Sequence, residues 1–314
     1  MRWPLIRYLP SHTHFDFVKL APFAAILSTL AVLGSIFSFA THGLNLGIDF
    51  AGGTMIEVKT QGPAPLGALR ADLLKIGVHD PQVQGFGAPD SALLRFKPEE
   101  GTNAVDAVNA VRQRLAQLVP GIQFTNVSVV GPKVSGELFV SGFKALAIAI
   151  ALMLVYIWFR FQLQFGLGAV IAIAHDVILT LGILSALQIE FSMTSIAALL
   201  TVIGYSMNEK VITFDRLREN LGKFRKKPLR EVINLSENER LSRTLITGTT
   251  AILALVGALF LGGPSLFPLV FAMCFGIVVG TYSSIYVALP VILLWGVNRG
   301  DEPAAPIKSA TQRP

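Results

Sequence analysis

Charge is nearly absent from the long apolar runs of this sequence. Their interiors hold Asp176, Glu209 and Lys210, and Lys144, Glu190 and Arg243 lie near the ends of runs. A charged side chain at mid-bilayer costs about 2.5–3.5 kcal/mol on insertion scales, so it persists when it is paired, hydrated or functional. Glu209 and Arg243 lie at similar depths on consecutive predicted spans, where a carboxylate and a guanidinium can pair. A carboxylate that loses such a partner in a dry site takes up a proton. The pattern therefore predicts ion-coupling chemistry at Glu209 and Arg243.

Simpler interpretations of these residues stay open. Arg243 can merely anchor the cytoplasmic end of its span while Glu209 reaches water. Lys210 points about 100° away from Glu209 around the helix, so we expect it to extend to the lipid headgroups. Asp176, next to His175, is either a proton relay or a hydrogen-bonded packing contact.

Enzyme chemistry is disfavoured by what the sequence lacks. It contains neither HExxH nor GxGD, and its one cysteine, Cys274, excludes a Cys-rich metal site and an internal disulfide. We therefore predict no catalytic residue, no metal and no cofactor other than a coupling ion.

The elements that hold these residues are predicted membrane spans. Of the 314 residues, 52% are hydrophobic and only 15% are charged, where soluble domains carry about 25%. About 20 apolar residues cross the hydrocarbon core. Six runs satisfy this length: 20–40, 141–159, 163–187, 191–214, 244–262 and 267–295. The first run ends in Ser38-Phe39-Ala40, a possible signal-peptidase site, but its length favours a retained anchor.

The distribution of Lys and Arg predicts the orientation. Arg160 lies between the second and third runs, and nine basic residues lie within 216–243, so both termini are expected in the cytoplasm. The net charge of +6 then reflects topology rather than a nucleic-acid surface. The segment 215–243 is predicted as a basic loop that contacts anionic lipid, with a cytosolic partner or a ribosome as the alternative. The tail 299–314, rich in Ala and Pro, is predicted to be disordered.

The segment 41–138 is hydrophilic and has the size of one small domain on the outer face, which is the periplasm in a Gram-negative cell. Alternation and helical spacing predict strands at 53–59, 82–86, 93–97 and 124–130, with helices at 65–76 and from Asn103 to 118. The order strand, helix, strand, strand, helix, strand is that of a ferredoxin-like α+β fold. The fold class is thus a six-helix membrane protein with one such domain between its first two helices, acting as a binding or lever module.

Five segments together resemble one known family. They read LGIDFAGGTMIEV (46–58), VGPKVSGEL (130–138), GYSMNEKVITFDRLREN (204–220), SRTLITGTT (242–250) and GTYSSIYVA (280–288). In this order relative to the spans, the chain from about 15 to 295 resembles the SecD/SecF family of protein-export membrane proteins, which is related to the RND transporters.

The resemblance implies an accessory subunit of the Sec translocase in the bacterial inner membrane. Such a subunit works with SecD beside the SecYEG channel, often with YajC, and uses the proton or sodium motive force to help preproteins leave the channel. Two other functions stay open: an RND-type exporter of small molecules or lipids, and a structural subunit of the translocon without ion coupling.

The resemblance also carries over individual residues. Glu209 stands where the family commonly has Asp, Arg243 matches the arginine that is proposed to pair with an intramembrane carboxylate, and Asp176 matches an HD pair. Lys210 departs from the small polar residue expected there. The signature Asp49, Gly52 and Gly53 enters the outer domain, where glycine permits the positive φ of a tight turn.

Overall fold

The computed structural model describes residues 13–78, 81–97, 104–263 and 265–297. The first twelve residues, the predicted cap Asn103 and the tail 299–314 lie outside these ranges. In chain order the elements are α1 (Phe17–His42), β1 (Asn45–Leu46), α2 (Ile48–Ala51), β2 (Gly53–Lys59), α3 (Leu66–Lys75), β3 (Gln82–Phe86), β4 (Ala88–Phe96), α4 (Ala104–Leu118), β5 (Gln123–Val130), α5 (Pro132–Arg160), α6 (Leu163–Ala186), β6 (Glu190–Phe191), α7 (Met193–Lys223), α8 (Leu229–Leu261), α9 (Phe267–Ser283), a π-helical turn (Ser284–Ala288) and α10 (Leu289–Trp295).

Within the described ranges, five helical segments are long and apolar enough to cross a membrane: α1, α5, α6, α8 and the continuous stretch Phe267–Trp295. Helix α7 covers the run 191–214 but is more polar, because Ser206, Glu209 and Lys210 belong to its buried face. It packs closely on α9, where a Cβ on Gly276 would collide with Val202 and a Cβ on Gly280 would lie 3.1 Å from that of Ser206. Small residues four apart thus let these two helices approach each other.

The prediction of a basic loop over 215–243 is wrong. Helix α7 continues to Lys223 and α8 begins at Leu229, so only the residues 224–228 between them are not helical. Polar contacts join the two extensions: Arg216 Nε donates to Glu239 Oε2 over 2.7 Å, and Asn220 Nδ2 to Ser236 Oγ over 3.0 Å. Hydropathy shows only where the apolar surface of a helix ends. The helix itself can continue beyond that point, because its backbone hydrogen bonds do not require apolar side chains.

The segment between α1 and α5 forms a small α+β domain. Its four-stranded sheet has the order β3-β4-β2-β5, with β2 antiparallel to both of its neighbours. Helices α3 and α4 pack on this sheet, and their apolar residues form one core with the alternating residues of β2 and β4: Ile56, Val58, Leu69, Leu73, Ala92, Leu94, Phe96, Val108, Val111 and Leu115. A second sheet pairs β1 with β6 in parallel, so the chain before the domain is hydrogen-bonded to the chain that enters α7.

Candidate ion-coupling site

Five charged side chains are buried at the contact of α6, α7, α8 and the π-helical turn. They are Asp176, Glu209, Lys210, Glu237 and Arg240, and each is at most 4% exposed. They form two adjacent groups. The Asp176 cluster comprises Asp176, His175, Ser206, Lys210 and Ser283, and the Arg240 cluster comprises Arg240, Glu209, Glu237, Thr244 and Ser284.

The Asp176 cluster is an ion pair with two serine hydroxyls. Lys210 Nζ lies 2.9 Å from Asp176 Oδ2, which also accepts hydrogen bonds from Ser206 Oγ at 2.5 Å and Ser283 Oγ at 2.7 Å. His175 Nδ1 lies 2.9 Å from Asp176 Oδ1. The expectation that Lys210 reaches the headgroups is wrong, because its side chain points inward and the Asp176 carboxylate compensates its charge.

The Arg240 cluster contains Glu209, but the cation that pairs with it is not the predicted one. The Arg240 guanidinium donates through Nε to both carboxylate oxygens of Glu237, each at 2.9 Å. Arg240 Nη1 lies 3.4 Å from Glu209 Oε2 and donates to Thr244 Oγ1 over 2.8 Å. Thr244 in turn donates to Glu209 Oε2 over 3.1 Å.

The structure does not bring Arg243 to Glu209. Arg243 is exposed and forms no ion pair with any residue that the structure describes. Arg240, less than one turn earlier on α8, takes that position. The Glu-x-x-Arg spacing of Glu237 and Arg240 was a signal for an intrahelical pair, but it was overlooked because the segment was interpreted as a loop.

The π-helical turn after α9 lies where the two clusters meet. Ser283, the last residue of α9, donates to Asp176, whereas the next residue, Ser284, accepts a 3.0 Å hydrogen bond from Arg240. Both serines are fully buried. Single π-helical turns inside α-helices occur frequently at functional sites, and here two consecutive hydroxyls contact different charged groups.

The formal charges of the site do not cancel. Three carboxylates, Asp176, Glu209 and Glu237, face two cations, Lys210 and Arg240, so the sum is 2 − 3 = −1 when His175 is neutral. His175 Nε2 is buried without a hydrogen-bond partner in the described parts of the chain. An uncompensated buried charge is costly. The arrangement is therefore suited to hold one additional proton or cation.

The signature Asp49, Gly52 and Gly53 lies at the N-terminal end of α7, away from the two clusters. Asp49 Oδ2 accepts a 2.9 Å hydrogen bond from the Met193 backbone N–H, so a carboxylate caps the positive end of that helix. Gly52 and Gly53 adopt φ of +66° and +116°, and a Cβ on Gly53 would lie 2.8 Å from the Phe96 carbonyl oxygen. The signature thus joins the α+β domain to α7.

One continuous helix connects this cap with the charged clusters. From Met193 to Glu209 the helix rises about 24 Å at 1.5 Å per residue. A second link at the same end is the contact between Arg95 of β4 and Glu190 of β6, and both side chains are largely buried. No sequence pattern predicts this pair, because the two residues are distant in the chain.

Comparisons with known proteins identify the family of this chain. Residues 110–298 match the family described as protein export membrane protein SecD/SecF, C-terminal, and residues 37–64 match the SecD/SecF GG motif. The protein translocase subunit SecF of Cereibacter sphaeroides is 43% identical over 98% of this chain and 97% of its own length. The SecF subunit of Rhodobacter capsulatus is 41% identical over 96% of this chain and 95% of its own length. The chain belongs to the SecF family.

The fold of this chain is similar to parts of solved structures. The crystal structure of SecDF, a translocon-associated membrane protein from Thermus thermophilus, matches 94% of this chain with a TM-score of 0.84 and 31% identity. A structure of SecDF in a super-membrane-facing form matches 90% of it with a TM-score of 0.67 and 32% identity. The present chain spans 40% and 39% of those two chains.

The Arg95–Glu190 contact predicts that the stability of this chain depends on pH. Burial raises the pKa of Glu190 above its usual value of 4.5; the nearby Arg95 opposes this shift and Asp49 adds to it. Because the folded-state pKa is the higher one, the stabilisation from this group is fully present below the unfolded-state pKa and is lost as pH rises through the folded-state pKa. We expect the stability of Glu190→Gln to decrease less with rising pH than that of the wild type, measured as the unfolding midpoint from acidic to neutral pH. Glu219→Gln, at an exposed site, should retain the wild-type decrease, and an unchanged profile for Glu190→Gln would contradict the assignment.

Proposed function

We propose that this chain is an accessory subunit of the Sec translocase in the bacterial inner membrane. Together with SecD, it couples the proton or sodium motive force to late translocation and to release of preproteins on the periplasmic side. The main support is the buried charge imbalance beside the middle of α7, the helix whose N-terminal end is capped by Asp49 of the α+β domain.

The proposal includes six membrane spans, which are the five long apolar segments and α7. Both termini are proposed to lie in the cytoplasm. In support, α7 is as long as its neighbours and packs between them, with buried residues along its length. The backbone N–H of Phe15 donates to Asn238 Oδ1 over 2.8 Å, which brings the N-terminal segment to the N-terminal part of α8. The α+β domain lies at the other end, and its strand order is that of the ferredoxin-like fold.

The proposed mechanism is a proton-dependent change at the Arg240 cluster. When Glu209 is charged, it shares Arg240 with Glu237; when Glu209 takes up a proton, its attraction to Arg240 is lost. The weakened contact between α7 and α8 lets α7 move, and the Asp49 cap transmits that movement to the outer domain. One proton crossing about 100 mV supplies about 2.3 kcal/mol, enough to bias such a movement in each cycle.

The proposed partners are those that the family resemblance implies. The exposure of Arg243 supports the proposal that its guanidinium pairs with a carboxylate of SecD. The apolar outer faces of α1 and α5 contact lipid. SecYEG, YajC and the preprotein complete the assembly; the mechanism requires no catalytic residue, resident cofactor or nucleic acid.

Preprotein release from membrane vesicles that contain SecD tests the coupling. With an imposed proton gradient, Glu209→Gln is expected to release preprotein at the rate seen without a gradient, because the variant side chain cannot exchange a proton. Glu219→Gln, an exposed position on the same helix, is the matched control and should respond to the gradient as the wild type does. Equal gradient-dependent release by wild type and Glu209→Gln would exclude Glu209 from the mechanism.

A subunit without ion coupling is the second candidate. It is favoured by the Asp176–Lys210 pair, which cancels one negative charge inside the protein. In that case α7 only holds the outer domain in place, and any coupling of ion flow to translocation takes place in SecD. Removal of the gradient would then leave the contribution of this subunit to export unchanged.

A further inference from the structure

The Lys210 ammonium lies among buried oxygen atoms from three helices. Its Nζ lies 2.9 Å from Asp176 Oδ2, 3.0 Å from Ser283 Oγ and 3.4 Å from the Ser206 carbonyl oxygen, and it also contacts Ser206 Oγ. The two serine residues and Lys210 are 0% exposed, and Asp176 is 1% exposed.

The four oxygen atoms around Nζ outnumber the hydrogen bonds that a lysine ammonium can donate. An ammonium has three N–H donors, whereas one carboxylate oxygen, one carbonyl and two hydroxyls surround this one. Hard metal cations prefer this kind of oxygen set. In transporters, coupling cations bind where a membrane helix is interrupted, and here the π-helical turn begins directly after Ser283.

We propose that Asp176, Ser206 and Ser283 form a binding site for an alkali metal cation, and that the Lys210 ammonium occupies it as a tethered cation. The wild-type chain therefore has no need of Na⁺ or K⁺ at this position. Removal of the lysine head group leaves the carboxylate and the other oxygens in place and opens the site to a free cation.

The surroundings of the site favour a cation over an empty cavity. Glu209 adjoins Lys210 on α7, and Glu237 lies beyond Arg240, so the loss of one positive charge changes the formal sum of the two clusters from −1 to −2. His175 is the nearest other group able to carry a positive charge, and its Nδ1 is already engaged with Asp176 Oδ1. A bound cation restores the charge that the substitution removes.

The test is thermal unfolding of the purified full-length Lys210→Ala variant in NaCl, KCl and choline chloride at equal ionic strength. A ligand that binds only the folded state raises the melting temperature with its concentration. We expect NaCl or KCl to raise the Tm of Lys210→Ala by at least about 2 °C over choline chloride. Wild type and Lys223→Ala, which lacks an exposed lysine of the same helix, should show no such difference.

The double variant Lys210→Ala/Asp176→Asn removes the carboxylate ligand, and the Na⁺ or K⁺ effect should disappear. Equal Tm values of Lys210→Ala in all three salts would overturn the proposal, since they would show that no alkali cation enters. Lys210→Asn, which adds an amide oxygen, serves as a second variant if Lys210→Ala does not fold. Recovery of either variant only in NaCl or KCl would support the site, and failure of both in every salt would overturn it.

This inference does not depend on the proposed function. The measurement concerns the stability of this chain alone, without SecD, a gradient or a preprotein. A cation effect on Lys210→Ala is therefore informative whether or not Glu209→Gln alters preprotein release.

Discussion

Substitution of Arg240 by methionine is expected to lower the free energy of unfolding by about 3–5 kcal/mol, the range seen when one partner of a buried ion pair is removed. Arg240 is the cation shared by Glu237 and Glu209, and all three side chains are at most 4% exposed. Methionine fills much of the same volume but leaves both carboxylates, and the Thr244 and Ser284 hydroxyls, without their donor. The measurement is unfolding by denaturing detergent in mixed micelles.

Arg243→Met is the matched control, because it removes the same charge from the same helix at an exposed position. Its cost should stay within about 0.5 kcal/mol in the isolated chain. If Arg243→Met costs as much as Arg240→Met, the assignment of Arg240 as the partner of Glu209 is wrong. A separate loss of export activity in Arg243→Met with SecD present would fit a contact between subunits.

The second large effect is expected at the Asp176–Lys210 pair. Asp176→Leu leaves the Lys210 ammonium fully buried without its counter-ion, and we expect a loss of about 3–5 kcal/mol in the free energy of unfolding. The double variant Asp176→Leu/Lys210→Leu replaces both charges by apolar side chains, a change that is often neutral or stabilising. It should therefore recover most of the loss.

A double-mutant cycle measures this recovery. The free energies of unfolding of wild type, Asp176→Leu, Lys210→Leu and the double variant give the coupling energy of the two side chains. Additive losses would show that the two residues do not pair. Lys144→Leu, on α5 outside the clusters, controls for the general effect of removing a lysine from a membrane helix.

The sequence alone determined that this is a membrane protein, where its apolar runs lie and which charged residues are exceptional. Apolar length and the scarcity of charge are local properties, and they follow from the hydrocarbon core that a span must cross. The five motif segments were likewise sufficient to identify the family, which the comparisons confirm. The sequence also showed that Asp176 and Glu209 are carboxylates inside apolar runs, and the structure shows that both are buried.

Only the tertiary structure decided which charges meet. Spacing along one chain gives depth in the membrane but not the rotation of each helix about its axis, and that rotation is set by packing. The contact of Gly276 and Gly280 with α7 turns Lys210 towards Asp176, and α8 presents Arg240 rather than Arg243 to Glu209.

The π-helical turn at Ser284, whose hydroxyl contacts Arg240 of a different helix, was also beyond the sequence. The same holds for the capping of α7 by Asp49, 144 residues earlier in the chain. Hydropathy describes the polarity of each segment by itself, whereas these features depend on contacts between segments. Local patterns therefore fixed the elements and the residues worth testing, and packing alone assigned their partners.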